Sequence, residues 1–138
     1  MSDEFPRLIA PCLDAVDAPA LAAFWQAFLG LGYRPGQGPD DDPAFIVIDG
    51  PDGVPELAFQ QVESLPPVTW PHGDTPQQIH LDLSVATAAQ QTRQVERALA
   101  LGAILLDDRR GDPTDPLVVL ADPAGHPFCL IRPPDAAN

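Results

Sequence analysis

One order of features occurs twice along this chain, at a spacing of about half its length. Residues 8–31 have the pattern of a short apolar strand followed by a helix closing on Leu31-Gly32, and residues 79–101 repeat it, closing on Leu101-Gly102. The spacing is 70 residues at both members of that pair (101 − 31 and 102 − 32), in a chain of 138. A copied unit of that size uses up the whole protein, so repetition is settled before any other feature of the fold. Two copies are too few for a solenoid. They suit a paired-module domain with a groove between its halves.

Within the first half, residues 8–16 suit a strand, and Asp17-Ala18-Pro19 opens a helix over about residues 20–31. Asp17 is placed to cap it, and Pro19 stands where a missing N–H costs little. Leu21, Phe24, Trp25, Phe28 and Leu29 follow helical spacing and need a buried face. A short strand near Tyr33 is expected from the repeat. Strands at residues 45–49 and 56–62, around the turn Gly50-Pro51-Asp52-Gly53, form a hairpin pattern. Residues 64–78 carry four prolines and one glycine and are expected to link the halves.

The second half opens on Ile79, Leu81, Leu83 and Val85 alternating with His80, Asp82 and Ser84, the period-two pattern of a strand with one apolar face. A helix over residues 88–101 follows, with Gly102 as its left-handed end. Strands are expected at 103–106, 117–121 and 128–131, the last two separated by the turn Asp122-Pro123-Ala124-Gly125. Each half is thus strand, helix, then two or three strands. Neither can cover its own sheet alone, which predicts a shared core and a concave face.

Charge narrows the function classes. Seven Lys and Arg against twenty Asp and Glu give a net charge of −13, which repels nucleic-acid backbones and anionic membranes. No run of about 18 apolar residues occurs, and the start lacks a basic segment leading into an apolar one, so a cytoplasmic protein without nucleic-acid or membrane partners is expected. Cys12 and Cys129 are expected as free thiols. Asp40-Asp41-Asp42 lacks the spaced oxygen ligands of a calcium loop and has the character of a solvated turn.

The segments Ala18-Pro19-Ala20-Leu21-Ala22-Ala23-Phe24-Trp25, Phe28-Leu29-Gly30, Ile79-His80-Leu81-Asp82-Leu83, Leu101-Gly102-Ala103 and Asp122-Pro123-Ala124-Gly125-His126-Pro127-Phe128, in this order, resemble the vicinal oxygen chelate superfamily. More narrowly, they resemble its bacterial glyoxalase-like proteins. The resemblance covers nearly the whole chain. It implies an α+β fold of two tandem βαβββ modules forming a curled mixed sheet around a pocket, often in a homodimer. A single domain of residues 1–138 then divides into module 1 at about 6–63, a linker at 64–78 and module 2 at about 79–134.

In metal-dependent members of that superfamily, ligands from the first and last strands of both modules hold a divalent ion that a substrate's vicinal oxygens chelate. Carried over position by position, that set falls on Ala10, Ala58, His80 and Cys129. Alanine coordinates nothing, so the usual metal site is expected to be missing and no cofactor is required. A two-residue slip would bring Glu56 or Gln60 onto the same strand face as Ala58, leaving His80 with Glu56 as an alternative metal pair and a divalent ion as a possible cofactor.

Alternation puts His80, Asp82 and Ser84 on one face. His80 is the candidate catalytic base or hydrogen-bond donor, with Asp82 orienting it or binding a polar group; equally, both suit a wet groove as satisfied polar residues. Phe45, Gln60, Phe128 and Cys129 are candidate pocket residues on strands. Trp70, an aromatic in the proline-rich linker, needs a partner surface. Cys129 has nothing near it in sequence to activate it as a nucleophile. Arg109-Arg110 suits local ion pairs in a turn or an anion site, and His72 and His126 carry no assignment. Two functions stay open: a glyoxalase-like protein that binds or sequesters a small, partly aromatic molecule, and a metal-dependent lyase, isomerase or dioxygenase.

Overall fold

The computed structural model describes residues 5–135; residues 1–4 and 136–138, the outer ends of the expected single domain, lie outside the described residues. The chain forms two compact units, 1–64 and 65–138. Each carries one α-helix and a four-stranded mixed sheet, so the chain is α+β and its two halves repeat one βαβββ plan.

In the first unit the order is β1 (Cys12–Ala15), α1 (Ala18–Leu29), β2 (Gly32–Tyr33), β3 (Phe45–Asp49) and β4 (Pro55–Gln61). The sheet order is β1-β4-β3-β2, with β1 parallel to β4 and the remaining pairs antiparallel. The short β2 is the strand expected near Tyr33. Asp17 caps α1 as its spacing predicts, Oδ1 accepting from the Ala20 N–H at 3.1 Å. The helix ends earlier than Leu31-Gly32, because Gly30 takes a left-handed φ of 68° and terminates it. Trp25 is 1% exposed and meets the Phe24 ring edge-on at 5.2 Å, so both are core residues.

The second unit repeats the plan with β5 (Leu81–Ser84), α2 (Ala88–Ala100), β6 (Ile104–Asp108), β7 (Leu117–Ala121) and β8 (Pro127–Ile131). Its sheet order is β5-β8-β7-β6, with β5 parallel to β8. Thr87 caps α2 through the Gln90 N–H, and the Gln90 side chain reaches back to the Ala86 N–H. Only Gln91, Val95 and Ala98 of α2 are buried, and the Gln91 amide donates to the Pro116 and Leu130 carbonyls at 2.9 and 3.0 Å. The helix is thereby tied to the sheet by a polar bridge as well as by packing.

The two β-hairpin turns are also copies. Gly50 and Asp122 each donate to the carbonyl four residues on, and accept from the N–H three residues on. Gly53 and Gly125, at φ 77° and 98°, close them. Asp122 is 1% exposed, and its Oδ1 accepts from the Ala124 and His126 N–H groups, both at 3.0 Å. The Asp-Pro-Ala-Gly-His motif is therefore a structural turn. Replacing Asp122 by Ala removes two charge-assisted bonds in a buried place and should cost about 2–3 kcal/mol. Urea unfolding checks this, with the midpoint expected to fall at an unchanged slope.

Candidate functional site

The pairing of β5 with β8 places Leu81 beside Phe128 and Leu83 beside Leu130 on one face, and Asp82 beside Cys129 on the other. Phe128, expected as a pocket residue, is fully buried on the face opposite Cys129. Across this second face, strand register lines up Asp82, Cys129, Val119 and Asp107 from the four strands in turn. His80, two residues before Asp82, joins this face, with Nε2 at 3.2 Å from Asp82 Oδ1.

The segment expected as a linker supplies the next part. Residues 69–75 close on themselves: the Thr69 N–H donates to the Thr75 carbonyl at 2.8 Å, and the Thr75 N–H donates to Thr69 Oγ1 at 2.8 Å. Gly73 makes that closure possible at φ 112°, since a Cβ there would fall 2.5 Å from Thr69 Oγ1. The loop lays the Trp70 ring over the His80 imidazole, with centroids 4.9 Å apart and planes within 17°. Its Trp70-Pro71 bond is cis. It also brings His72 Nε2 to 3.9 Å from Asp107 Oδ2, which accepts from Arg109 Nε at 2.8 Å.

Arg109 and Arg110 diverge. Arg109 pairs with Asp107 on the face that carries Cys129, and Arg110 pairs with Asp108 and reaches Thr92 of α2. Both pairs are local, as a basic turn suggests, and each aspartate raises its arginine's pKa by hydrogen bonding and charge.

Cys129 is 3% exposed. Burial first, then the Asp82 charge and a hydrogen bond from the thiol to that carboxylate, push its pKa up to about 11, against a smaller opposing pull from Arg109. An uncharged thiol under a carboxylate is a poor nucleophile, in line with the expectation from sequence. Cys12 is also a free thiol, exposed on β1, and burial and Asp14 raise its pKa.

His80, Asp82 and Cys129 form the cluster of metal-capable side chains found among the described residues, with one ligand atom from each lying within 4.8 Å of the others. Nitrogen, oxygen and sulfur donors in one place fit a borderline ion such as zinc better than magnesium or calcium. The thiol must surrender its proton for this to occur. In the first unit, Cys12 pairs with Ala58 just as Asp82 pairs with Cys129. The register thus makes Ala58 the counterpart of Cys129, and Ala58 offers no ligand.

Phe45 and Gln60 pair side by side on β3 and β4 of the first unit, on the same face as Ala58. The Glu56 carboxylate fills the space over Gly50, where a Cβ would stand 2.5 Å from Glu56 Oε2. It occupies in the first turn the place that a side chain takes at Asp122 in the second. Of the candidate residues, the structure therefore brings together Trp70, His80, Asp82 and Cys129 in one unit. Sequence reasoning missed the approach of His72 to Asp107, which depends on the loop closing over the sheet.

The profile of the glyoxalase-like domain matches residues 10–131, nearly the whole chain. The chain belongs to the glyoxalase-like family. Its fold is that of the vicinal oxygen chelate superfamily, as the solved structures similar to it also indicate. A glyoxalase/dioxygenase from Nostoc punctiforme is 17% identical with a TM-score of 0.70, covering 98% of this chain and 97% of that one. A glyoxalase/bleomycin resistance protein/dioxygenase family enzyme from Burkholderia phytofirmans is 18% identical at TM-score 0.69, covering 92% and 98%. The fosfomycin resistance protein FosX from Mesorhizobium loti is 15% identical at 0.67, covering 93% and 92%. No protein among curated sequences matches. At these identities the likeness of this glyoxalase-like protein to the solved structures is one of fold. Among the described residues, no helix is long and apolar enough to cross a membrane.

The electrostatic tie between Asp82 and Cys129 can be measured directly. In a Cys12→Ser background, Asp82→Asn removes a charge and weakens an acceptor that both hold the proton on sulfur. The thiolate fraction at a fixed, mildly alkaline pH should rise, and alkylation of Cys129 by iodoacetamide should accelerate about three- to tenfold, a tenfold gain corresponding to one pKa unit. Mass spectrometry of the alkylated protein follows the rate; no change would mean that Asp82 does not govern the sulfur.

Proposed function

We propose that this glyoxalase-like protein binds or sequesters a small, planar, partly aromatic molecule beside Trp70, His80 and Asp82 of its second unit, without the superfamily's two-module metal ligand set. The observation that carries the reading is the Trp70 ring laid parallel on the His80 imidazole beside Asp82, whose side chain is 57% exposed. A flat aromatic surface next to an accessible carboxylate and an imidazole offers stacking with one or two directed hydrogen bonds, the usual composition of a small-molecule site. His80 and Asp82 are its polar anchors, and Trp70 its apolar one. The names of proteins with this fold, which include resistance to bleomycin and fosfomycin, support a ligand of drug-like size.

The competing reading is a metal-dependent lyase, isomerase or dioxygenase using His80 with Glu56. Asp82 and Cys129 are the neighbours of His80 in the donor cluster, while Glu56 fills the Gly50 turn. The proposal includes a cytoplasmic homodimer, to be checked by sedimentation.

Trp25 is buried in the core and Trp70 lies on the site, so a Trp25→Phe variant isolates the reporter. Titrating it with a panel of small planar compounds should quench Trp70 fluorescence for those that bind. His80→Ala and Asp82→Asn should each weaken such binding about tenfold, equivalent to about 1.4 kcal/mol. Recovered ligand should be chemically unchanged. Binding indifferent to both substitutions would reject this face as the site, and a converted ligand would reject sequestration in favour of catalysis.

A further inference from the structure

We propose that the ligand taken up beside Trp70, His80 and Asp82 is a planar aromatic cation, bearing an amidinium, a guanidinium or a protonated ring nitrogen at its edge. This rests on the small-molecule reading above and names the chemical class that the site selects.

The first argument is the balance of charge around Cys129. Asp82 and Asp107 stand at the two ends of the row that register draws through Cys129 and Val119. The guanidinium on that face belongs to Arg109, whose Nε donates to Asp107 at 2.8 Å. Asp112 and Asp115 act on the same guanidinium, which lowers the Asp112 pKa, while Asp115 adds to the rise in its own. Asp115 reaches the Cys129 thiol too. Arg110 turns instead to Asp108 and Thr92. One arginine therefore answers to three aspartates before Asp82 is counted. Even with His72 and His80 both protonated, the four carboxylates outnumber the three cations, in a chain of net charge −13. A negative field of this kind concentrates cations and repels anions.

The second argument is what remains for a ligand to bond. The Asp82 side chain is 57% exposed, and an ionised carboxylate has about four lone-pair sites and no proton to give. His80 Nε2, at 3.2 Å, and the Cys129 thiol take up two of them. The others call for a donor. An amidinium coplanar with its ring presents two parallel N–H groups to a carboxylate, the bidentate geometry of the strongest charge-assisted pairs.

Trp70 supplies the third argument. The face of an indole carries negative π density and is the best of the aromatic side chains at holding a cation. Trp70 is half-buried and stacked on His80, so part of its ring is left to a ligand. Because Thr69 and Thr75 close the loop beneath it, the ring is held in place before anything binds. A ligand that is both flat and positive gains from Trp70 and Asp82 at once.

Naphthamidine, naphthamide and naphthoate, substituted at one ring position, share a shape and carry positive, neutral and negative charge. Each is titrated into nitrogen-15-labelled full-length Trp25→Phe protein, where Trp70 is the remaining one of two tryptophans and its indole N–H resonance reports binding. We expect naphthamidine to bind about tenfold more tightly than naphthamide, with naphthoate weakest. Raising the salt to about 0.5 M should shrink that preference, because exposed charges are screened. Asp82→Asn should reduce it to about twofold, and Arg109→Gln, which removes the opposing cation, should tighten naphthamidine binding about two- to fivefold and leave naphthamide unchanged. Tighter binding is not an outcome that misfolding can produce. Equal affinity for amidine and amide, or a preference for naphthoate, would overturn the charge selection and leave the planar-ligand reading standing. A preference untouched by both substitutions would trace it to the chain's overall charge and overturn the inference as well. An indole resonance moved by none of the three compounds would overturn both readings together.

Discussion

Everything at the site depends on one parallel strand pair. In each unit the first strand lies beside the last, β1 against β4 and β5 against β8, with the helix and the other two strands between them in sequence. A parallel neighbour cannot be reached by a tight turn, so the crossover through the helix is obligatory. The pairing joins residues far apart in sequence, and it puts Asp82 next to Cys129. Because side chains alternate, a slip of one residue in β8 would replace Cys129 by Phe128 or Leu130 and turn the sulfur into the core. The core prevents this: Phe128 and Leu130 are at most 1% exposed and leave no tolerance for another register.

Much of this plan was legible in the chain itself, for specific reasons. The helices are readable because Asp17 and the periodic Leu21, Phe24, Trp25 and Phe28 announce one, and Val95 and Ala98 with Gly102 the other. Strands β3 and β7 have the expected bounds, since five apolar-rich residues between turn residues leave little freedom. The end of α1 was displaced because two glycines, Gly30 and Gly32, compete to stop it, and only backbone geometry shows that Gly30 takes the left-handed conformation. First strands were expected too long, since apolar residues such as Leu8, Ile9 and Ile79 extend the pattern but are exposed and unpaired in the sheet.

The candidate site was legible in half. Alternation alone places His80 and Asp82 on a common face. Nothing local places Cys129 there, because its neighbour is 47 residues away (129 − 82). Trp70 could be recognised as an aromatic in need of a surface, but the surface is His80, reached because Thr69 and Thr75 close a loop that only Gly73 permits. Composition suggested a linker, and proline and glycine are indeed the means of closing such a loop. Phe128 shows that the residues of a buried strand look equally suited to core and pocket. Only the register separates the two faces.

The two copies show how one scaffold separates structure from chemistry. Their turns are the same in backbone bonding, yet a buried Asp122 holds one while Glu56 fills the space over Gly50 in the other. A carboxylate at that end of the hairpin therefore meets a structural need, and Glu56 has a reason to exist that involves no ion. The same comparison on the face of Asp82 and Cys129 comes out differently. Cys12 beside Ala58 leaves that strand pair intact, which shows that the pairing needs neither an aspartate nor a buried thiol. Asp82 over Cys129 is electrostatically unfavourable for a thiolate and adds nothing the first unit lacks in order to fold. Side chains that the scaffold does not need, gathered on a face that a stacked tryptophan and a closed loop also occupy, are where function has to be sought.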